Sequence, residues 1–128
     1  MDGNCLFRAI SVQLYGTEEH HGLLRGITMD YIEIEKDFFS KFLIGEERYF
    51  EEYILMKRES GRWGDDIEIE ALSEIYNRPI QIYAYKSTPM RTFHENLSNP
   101  NPPIRLSYHC CSHFNAVNER MLLFNLCK

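Results

Sequence analysis

The chain has 128 residues, of which 44% are hydrophobic and 26% charged, so we expect one globular domain over residues 1–128 rather than a disordered chain. Its 19 acidic and 14 basic residues give a formal net charge of −5, and its Lys and Arg residues form no cluster, so we expect no nucleic-acid partner. No apolar run approaches the roughly 20 residues that cross a bilayer, and no basic region followed by an apolar region marks a signal peptide, so we expect no membrane partner.

The first predicted element is a helix over about Cys5 to Tyr15. Asn4 precedes it and is a residue type that caps helices, and Gly16 follows it, where a left-handed residue ends a helix. The apolar stripe of this helix recurs at steps of three and four and comprises Leu6, Ala9, Ile10, Gln13 and Leu14.

Two more helices are predicted in the first half of the chain. One runs from about Glu18 into the thirties, and its apolar face comprises Leu23, Leu24, Ile27, Tyr31 and Ile34. The other lies between Gly45 and Gly61 and carries Tyr49, Phe50, Tyr53 and Ile54.

The segment WGDDIEIEALSEIYNRP, which starts at Trp63, is at first compatible with two structures. Its apolar residues alternate like those of a strand, but they also keep a helical step. Asp65 or Asp66 supplies a cap and early negative charge, and Asn77 to Pro79 stops the element. These end signals favour a helix.

Strands are predicted in the last part of the chain. Ile80 to Tyr85 alternates with period two and is rich in residues that favour strands. A loop rich in Pro and Asn follows, and strands at Ile104 to Tyr108 and His113 to Val117 flank a turn at Cys110 to Ser112. Helices followed by strands that are able to pair antiparallel indicate an α+β fold.

Cys5 stands at the start of the first predicted helix and has two interpretations. The thiolate is the reactive form of a cysteine, and the positive end of a helix dipole favours it. Gly3 permits close backbone approach, and the turn amides near it are placed to point at an oxyanion on a substrate carbonyl. Alternatively, Cys5 is a small buried hydrophobe, as most cysteines near an apolar stripe are.

His113 is the candidate general base for Cys5. Side chains at i and i+2 share a strand face, so Asn115 stands beside His113 and its amide oxygen is placed to accept the imidazole N–H. That bond fixes the tautomer whose other nitrogen faces the thiol. His109 remains a rival base and Cys111 a rival nucleophile, and a histidine on a short strand is often only structural.

The cluster YHCCSH offers four potential metal ligands, namely His109, Cys110, Cys111 and His113. Zinc ligands usually come in spaced pairs from two segments, which adjacent cysteines in one turn fit poorly, so we expect no metal site. Because two of the 4 cysteines are adjacent, we also expect no disulfide framework and a reducing compartment, the cytoplasm or the nucleus.

Three segments carry a resemblance to a known family. DGNCLFRAISVQLYG resembles the nucleophile segment of the OTU (ovarian tumour) family of cysteine deubiquitinases, which has a D-G-N-C-L-F-R-A type motif. IEIEALSEIYNRPIQIYAY resembles the family's helix-plus-strand core, and IRLSYHCCSHFNAV its histidine segment. The chain is most similar to the branch typified by deubiquitinase A.

The resemblance implies a papain-like OTU fold, with N-terminal helices followed by a small, mainly antiparallel sheet. It also implies hydrolysis of isopeptide bonds at the ubiquitin C-terminus through a cysteine thioester, with no cofactor. Cys5 matches the nucleophile and His113 the general base. Asp2 matches the acidic residue of the motif, and Asn115 the position that orients the imidazole.

For substrate binding, the resemblance points to a narrow groove for the Gly-Gly tail of ubiquitin. The candidate residues are Gly3, Asn4, Trp63, Gly64 and Asp65. Acidic side chains at Asp65, Asp66 and Glu68 either pair with the basic tail of ubiquitin or merely cap and solvate a helix. Trp63 and Gly64 either line the groove or anchor a plain loop.

The expected partners are ubiquitin, polyubiquitin chains and ubiquitinated proteins. Only Met1 precedes the DGNC motif, so we expect this single OTU domain to lack residues that precede the motif in other members. Two alternatives stay open: a catalytically inactive module that binds ubiquitin, and a peptidase for another ubiquitin-like modifier.

Overall fold

A computed structural model describes residues 3–43, 49–109 and 113–118. The helices come first and the strands last, which confirms the α+β class. The helices are α1 (Cys5–Tyr15), α2 (His21–Ile34), α3 (Lys36–Phe39), α4 (Phe50–Arg58) and α5 (Asp66–Tyr76), with short 3-10 helices at Glu18–His20 and Ser40–Phe42. No helix among the described residues is long and apolar enough to cross a membrane.

The ends of α1 and α5 follow the signals in the sequence. Gly16 adopts the left-handed φ of 76° that closes α1. Asp65 and Glu68 form a capping box at the start of α5, and Asn77 ends that helix in the left-handed region with a φ of 50°. Asn4 occupies the N-cap position of α1, but its side chain makes no capping hydrogen bond, so that part of the prediction is wrong.

The predicted apolar face of α2 is partly wrong. Leu23 is 57% exposed and Ile34 is 79% exposed, whereas Arg25 and Thr28 are buried beside Leu24. A charged side chain therefore occupies a core position that the apolar periodicity assigned to neighbouring residues. The start of the predicted helix, Glu18–His20, is a separate 3-10 helix.

The four strands form one mixed sheet in the order β2-β1-β3-β4. The strands are β1 (Ile80–Tyr83), β2 (Arg91–Phe93), β3 (Ile104–His109) and β4 (His113–Ala116). Among the described strands, the outer pairings are antiparallel and the central β1–β3 pairing is parallel, so the sheet is mainly but not purely antiparallel. The sequence did not predict β2, which lies within the segment assigned to a loop.

The core has two apolar clusters that meet at α5. One joins α1, α5 and Leu24 of α2 to the sheet, and the other joins α2, α3 and α4 to α5. Ile69 and Leu72 of α5 belong to the first cluster, while Ala71 belongs to the second. α5 therefore connects the sheet side of the molecule to the helical side.

Candidate active site

Cys5 is the first residue of α1 and is 5% exposed. The other end of α1 is fixed to the sheet by Gln13. Its Nε2 donates to the carbonyl of Val117 at 2.8 Å, and its Oε1 accepts the backbone N–H of Arg105 at 3.2 Å. α1 is thereby held against β3 and the residue after β4, which sets the position of the thiol relative to the β4 side chains.

His113 begins β4 and is oriented by Asn115, two residues along the strand. The Nε2 of His113 lies 3.2 Å from the Oδ1 of Asn115. An amide oxygen only accepts, so Nε2 carries the hydrogen and Nδ1 carries the lone pair. Nδ1 is buried and has no hydrogen-bond partner among the described residues. It is the ring atom left to take a proton.

Cys5 and His113 line the same cavity, of about 360 Å³. Its other lining residues are Arg8, Ala9, Val12, Glu18, Phe114, Asn115 and Ala116. His109 is not among the residues that line it; its Nε2 lies 2.8 Å from the Ser107 hydroxyl. The geometry therefore favours His113 over His109 as the partner of the thiol. Sequence reasoning did not single out Arg8 or Glu18, which stand in no motif of their own.

The turn before Cys5 packs against the loop that precedes α5. A Cβ on Gly3 would lie 2.0 Å from the carbonyl oxygen of Gly61, so only glycine permits this approach. The side chain of Asn4 accepts the N–H of Gly61 at 2.8 Å and donates to the Ser60 hydroxyl at 3.2 Å. Gly3 and the side chain of Asn4 thus contact the neighbouring loop of the protein itself. Of the described groups of this turn, only the backbone amides are then available to bind an oxyanion of a substrate.

Arg25 of α2 ties this turn to the following loop. Its guanidinium donates to Asn4 Oδ1 at 2.7 Å, to the Gly3 carbonyl at 3.3 Å and to the Arg62 carbonyl at 2.7 Å. It also donates to the Lys57 carbonyl at 2.8 Å, and Arg25 is only 3% exposed. Sequence reasoning missed this residue because a lone arginine inside a helical pattern gives no signal of burial.

The comparison with known proteins decides the family. Residues 1–116 match the family described as OTU-like cysteine protease. The chain belongs to this OTU family. Its membership, and the OTU fold expected from the sequence, are therefore confirmed.

Curated relatives of this OTU domain are much longer proteins. OVARIAN TUMOR DOMAIN-containing deubiquitinating enzyme 6 of Arabidopsis thaliana is 47% identical over 116 residues, which are 91% of this chain and 22% of that protein. OTU domain-containing protein 5 of Homo sapiens is 40% identical over 121 residues, covering 91% of this chain and 21% of that protein. The chain spans about a fifth of the length of these relatives.

Solved structures agree with the fold. The OTUD1 OTU domain is 30% identical, with a TM-score of 0.79 over 92% of this chain and 81% of that chain. The Hazara virus OTU bound to ubiquitin is 16% identical, with a TM-score of 0.69 over 91% of this chain and 76% of that chain. At that identity, the second likeness shows the fold alone.

In this OTU domain, the turn before Cys5 packs against the loop that precedes α5, and a buried ion pair supports that loop. Glu68 is fully buried, and its Oε1 lies 3.1 Å from the Nζ of Lys57. The Lys57 ammonium also donates to the Trp63 carbonyl at 2.6 Å, and Tyr53 donates to Glu68. Burial raises the pKa of Glu68, with Lys57 and Tyr53 opposing it, and burial with the charge of Glu68 raises the pKa of Tyr53. Glu68 therefore cannot pair with a substrate tail; that interpretation is wrong.

A second cavity, of about 250 Å³, lies beside the first and shares Phe114 with it. Gly64 and Asp65 line this cavity, whereas Trp63, which is 42% exposed, is not among its lining residues. The Asp65 side chain accepts the Asp66 N–H at 2.8 Å as part of the α5 cap. Two of the predicted groove residues, Gly64 and Asp65, therefore line a cavity next to the one that holds Cys5 and His113, and Trp63 is not part of that lining.

Two groups of predictions lie outside the described residues. Asp2, which matches the acidic residue of the family motif, is one of them. The other is the turn that holds Cys110 and the rival nucleophile Cys111. Their roles stay predictions.

Proposed function

We propose that this chain is a thiol-dependent deubiquitinase, which hydrolyses isopeptide bonds at the C-terminus of ubiquitin. The observation that carries the proposal is the shared cavity, which is lined by a thiol at a helix start and by an imidazole whose Nδ1 is left to take a proton. Family membership and the name of the Arabidopsis thaliana relative, a deubiquitinating enzyme, support ubiquitin as the substrate.

The proposed reaction is a two-step acyl transfer. Nδ1 of His113 takes the proton of the Cys5 thiol, and the sulfur attacks the carbonyl carbon of the terminal glycine of ubiquitin. Backbone N–H groups of the turn before α1 stabilise the oxyanion. His113 then protonates the departing lysine amine, and a thioester remains. Water, deprotonated by His113, attacks the thioester and releases the ubiquitin carboxylate and the thiol.

The proposed orienting residue is Asn115. Its Oδ1 accepts from Nε2 of His113, which keeps Nδ1 as the basic atom and stabilises the imidazolium that forms. Because Asp2 matches the acidic residue of the family motif, we propose that it supports the turn whose amides bind the oxyanion.

The ubiquitin tail is proposed to approach through the second cavity. Gly64 and Asp65 line this cavity, and Phe114 connects it with the Cys5 cavity. Asp65 is exposed and offers a carboxylate to the basic tail residues, while it also caps α5. Polyubiquitin chains and ubiquitinated proteins in the cytoplasm or nucleus are the proposed partners.

The test is covalent labelling with a ubiquitin probe that carries an electrophile at its C-terminus. The wild type is expected to gain the mass of one probe, and Cys5→Ala is expected to gain none. Cys111→Ser is the matched control, because it removes the rival thiol and is expected to leave labelling intact. Linkage-defined di-ubiquitins, incubated with this chain and with an N-terminally extended one, then measure turnover.

Four outcomes contradict the proposal. If Cys5→Ala is still labelled, the nucleophile is another residue. If labelling is lost in Cys111→Ser, the nucleophile is Cys111. Ubiquitin binding without adduct or cleavage, in both lengths of chain, indicates an inactive binding module. Labelling only by probes built on other ubiquitin-like modifiers changes the substrate.

A further inference from the structure

Outside the catalytic cavity, one cluster of three ligating side chains joins α5 to the end of β2. Glu70 and Glu74 are four residues apart on α5 and therefore share a helix face. His94 follows β2 and points its Nε2 between the two carboxylates. The three ligand atoms all lie within 4.8 Å of one another.

The distances in this cluster suit a metal ion better than a hydrogen bond. Nε2 of His94 lies 3.3 Å from Oε1 of Glu70 and 3.3 Å from Oε1 of Glu74. A charged N–H···O bond is usually about 2.7–2.9 Å, and this Nε2 is buried and has no hydrogen-bond partner among the described residues. Ligands of a tetrahedral zinc ion at about 2.0–2.1 Å are separated from one another by about 3.3–3.4 Å.

A fourth side chain, that of Tyr31, fixes one of the carboxylates. Tyr31 of α2 donates its hydroxyl to Oε2 of Glu74 at 3.0 Å, which leaves Oε1 of Glu74 facing His94. Outer hydrogen bonds of this kind orient the ligands of metal sites.

We propose that Glu70, Glu74 and His94 bind a divalent transition-metal ion of the zinc class. An imidazole with two carboxylates favours zinc over calcium or magnesium, which prefer ligand sets made only of oxygen. Three protein ligands leave a fourth position for water. The side chains are 22–26% exposed, so an ion reaches them from solvent. This site was not predicted from the sequence, because its residues come from two segments that carry no metal-binding motif.

The ion would clamp the end of β2 onto α5. β2 has three residues and lies at the edge of the sheet, where it pairs only with β1 among the described strands. A metal bond from His94 to α5 adds a cross-link beyond that pairing. Metal binding is therefore expected to raise the melting temperature and to leave the catalytic cavity unoccupied by the ion.

The test is Co²⁺ and Zn²⁺ titration of the EDTA-stripped chain carrying Cys5→Ala, which removes the catalytic thiol as a competing ligand. One Co²⁺ ion is expected to bind with d–d absorption and without a thiolate charge-transfer band. His94→Asn is expected to weaken binding by more than about 100-fold, since even outer partners of metal ligands are worth about 10–100-fold. Asparagine is chosen because His94 has a φ of 54°, which asparagine tolerates.

Three further variants sharpen the result. Glu70→Gln is expected to weaken binding as His94→Asn does, and Tyr31→Phe to weaken it by about 10–100-fold. Glu95→Gln, which changes an exposed carboxylate next to His94, is the matched control and is expected to bind like the parent. Zn²⁺ is expected to raise the melting temperature of the parent and not of His94→Asn.

Equal affinity of the parent, His94→Asn and Glu70→Gln overturns the proposal. So does cobalt absorption that arises only from thiolates, since that ion is bound by the remaining cysteines. Failure of the parent to bind either Co²⁺ or Zn²⁺ also overturns the proposal. Each of these outcomes leaves the deubiquitinase proposal untouched, because the catalytic residues are not involved.

Discussion

The two sides of the cavity lined by Cys5 and His113 are held in different ways. The turn before Cys5 is fixed by buried charged groups, with Arg25 at 3% exposed and Glu68 fully buried. The histidine side is carried by a four-residue edge strand on which His113 is half-buried and Asn115 is exposed. The proposed nucleophile therefore depends on the interior of the protein, while its proposed base depends on a short strand near solvent.

Because of this difference, we expect substitutions on the two sides to affect different properties of the protein. Substitutions on the histidine side are expected to reduce turnover and leave folding intact, because few buried groups lose their partners there. Substitutions among the buried groups near Cys5 are expected to reduce stability, because each one leaves buried polar atoms unsatisfied. Turnover and the free energy of unfolding, measured on the same variants, therefore distinguish the two sides.

The largest effect is expected for His113→Ala. Turnover of di-ubiquitin should fall by about 10²–10⁴-fold, the usual contribution of a general base. The free energy of unfolding should change by less than about 1 kcal/mol, because the residue is half-buried on an edge strand. His109→Ala is the matched control for this substitution. An equal loss of turnover in that variant would contradict the assignment of His113 as the general base.

Arg25→Lys tests the opposite side. A lysine ammonium cannot reach all four acceptors of the guanidinium, so the free energy of unfolding should fall by about 2–5 kcal/mol as buried acceptors lose their donors. Chemical denaturation measures this loss. Cleavage under conditions where the variant stays folded should retain a larger fraction of activity than His113→Ala does. Unchanged stability would show that the buried hydrogen bonds of Arg25 do not hold the turn before Cys5 in place.

Asn115→Ala should have a smaller effect on turnover. Loss of one hydrogen bond to an imidazolium is worth about 1.5–3 kcal/mol, or about 10- to 150-fold in kcat. Because Asn115 is exposed, we expect the lower end of this range. Asn115→Asp, which keeps an acceptor oxygen, should restore part of the rate. A kcat of Asn115→Ala equal to the wild-type value would exclude an orienting role.

The smallest expected effect is a pH dependence of the helical scaffold on the Cys5 side. The pKa of Tyr31 is raised to about 12 in the folded chain, so its stabilising contribution is present below pH 10 and is lost as the pH rises toward 12. In the presence of EDTA, Tyr31→Phe should therefore lose less stability than the wild type between pH 10 and 12. Parallel losses in the two proteins would contradict this.

Local signals explain what the sequence predicted well. The ends of α1 and α5 are set by Gly16, Asp65 and Asn77, whose conformations are decided within a few residues. The proximity of Asn115 to His113 follows from the period of a strand. These features needed no knowledge of distant parts of the chain.

Long-range contacts explain what the sequence did not predict. The three residues of β2 form a strand because β1 pairs with them, not because of their own composition. Arg25 and Glu68 are buried because each finds partners far along the chain, at Asn4 and at Lys57 respectively. A charged residue in a helical pattern is ordinarily assigned to the surface, so periodicity alone leaves such networks out.

The pairing of Cys5 with His113 is tested by the rate at which iodoacetamide alkylates Cys5 near neutral pH, read by peptide mass spectrometry. If His113 takes the Cys5 proton, His113→Ala should slow alkylation of Cys5 by roughly tenfold or more and leave Cys111 unaffected. Equal rates at Cys5 in the wild type and in His113→Ala would contradict the account, because the thiol and the imidazole would then not act together.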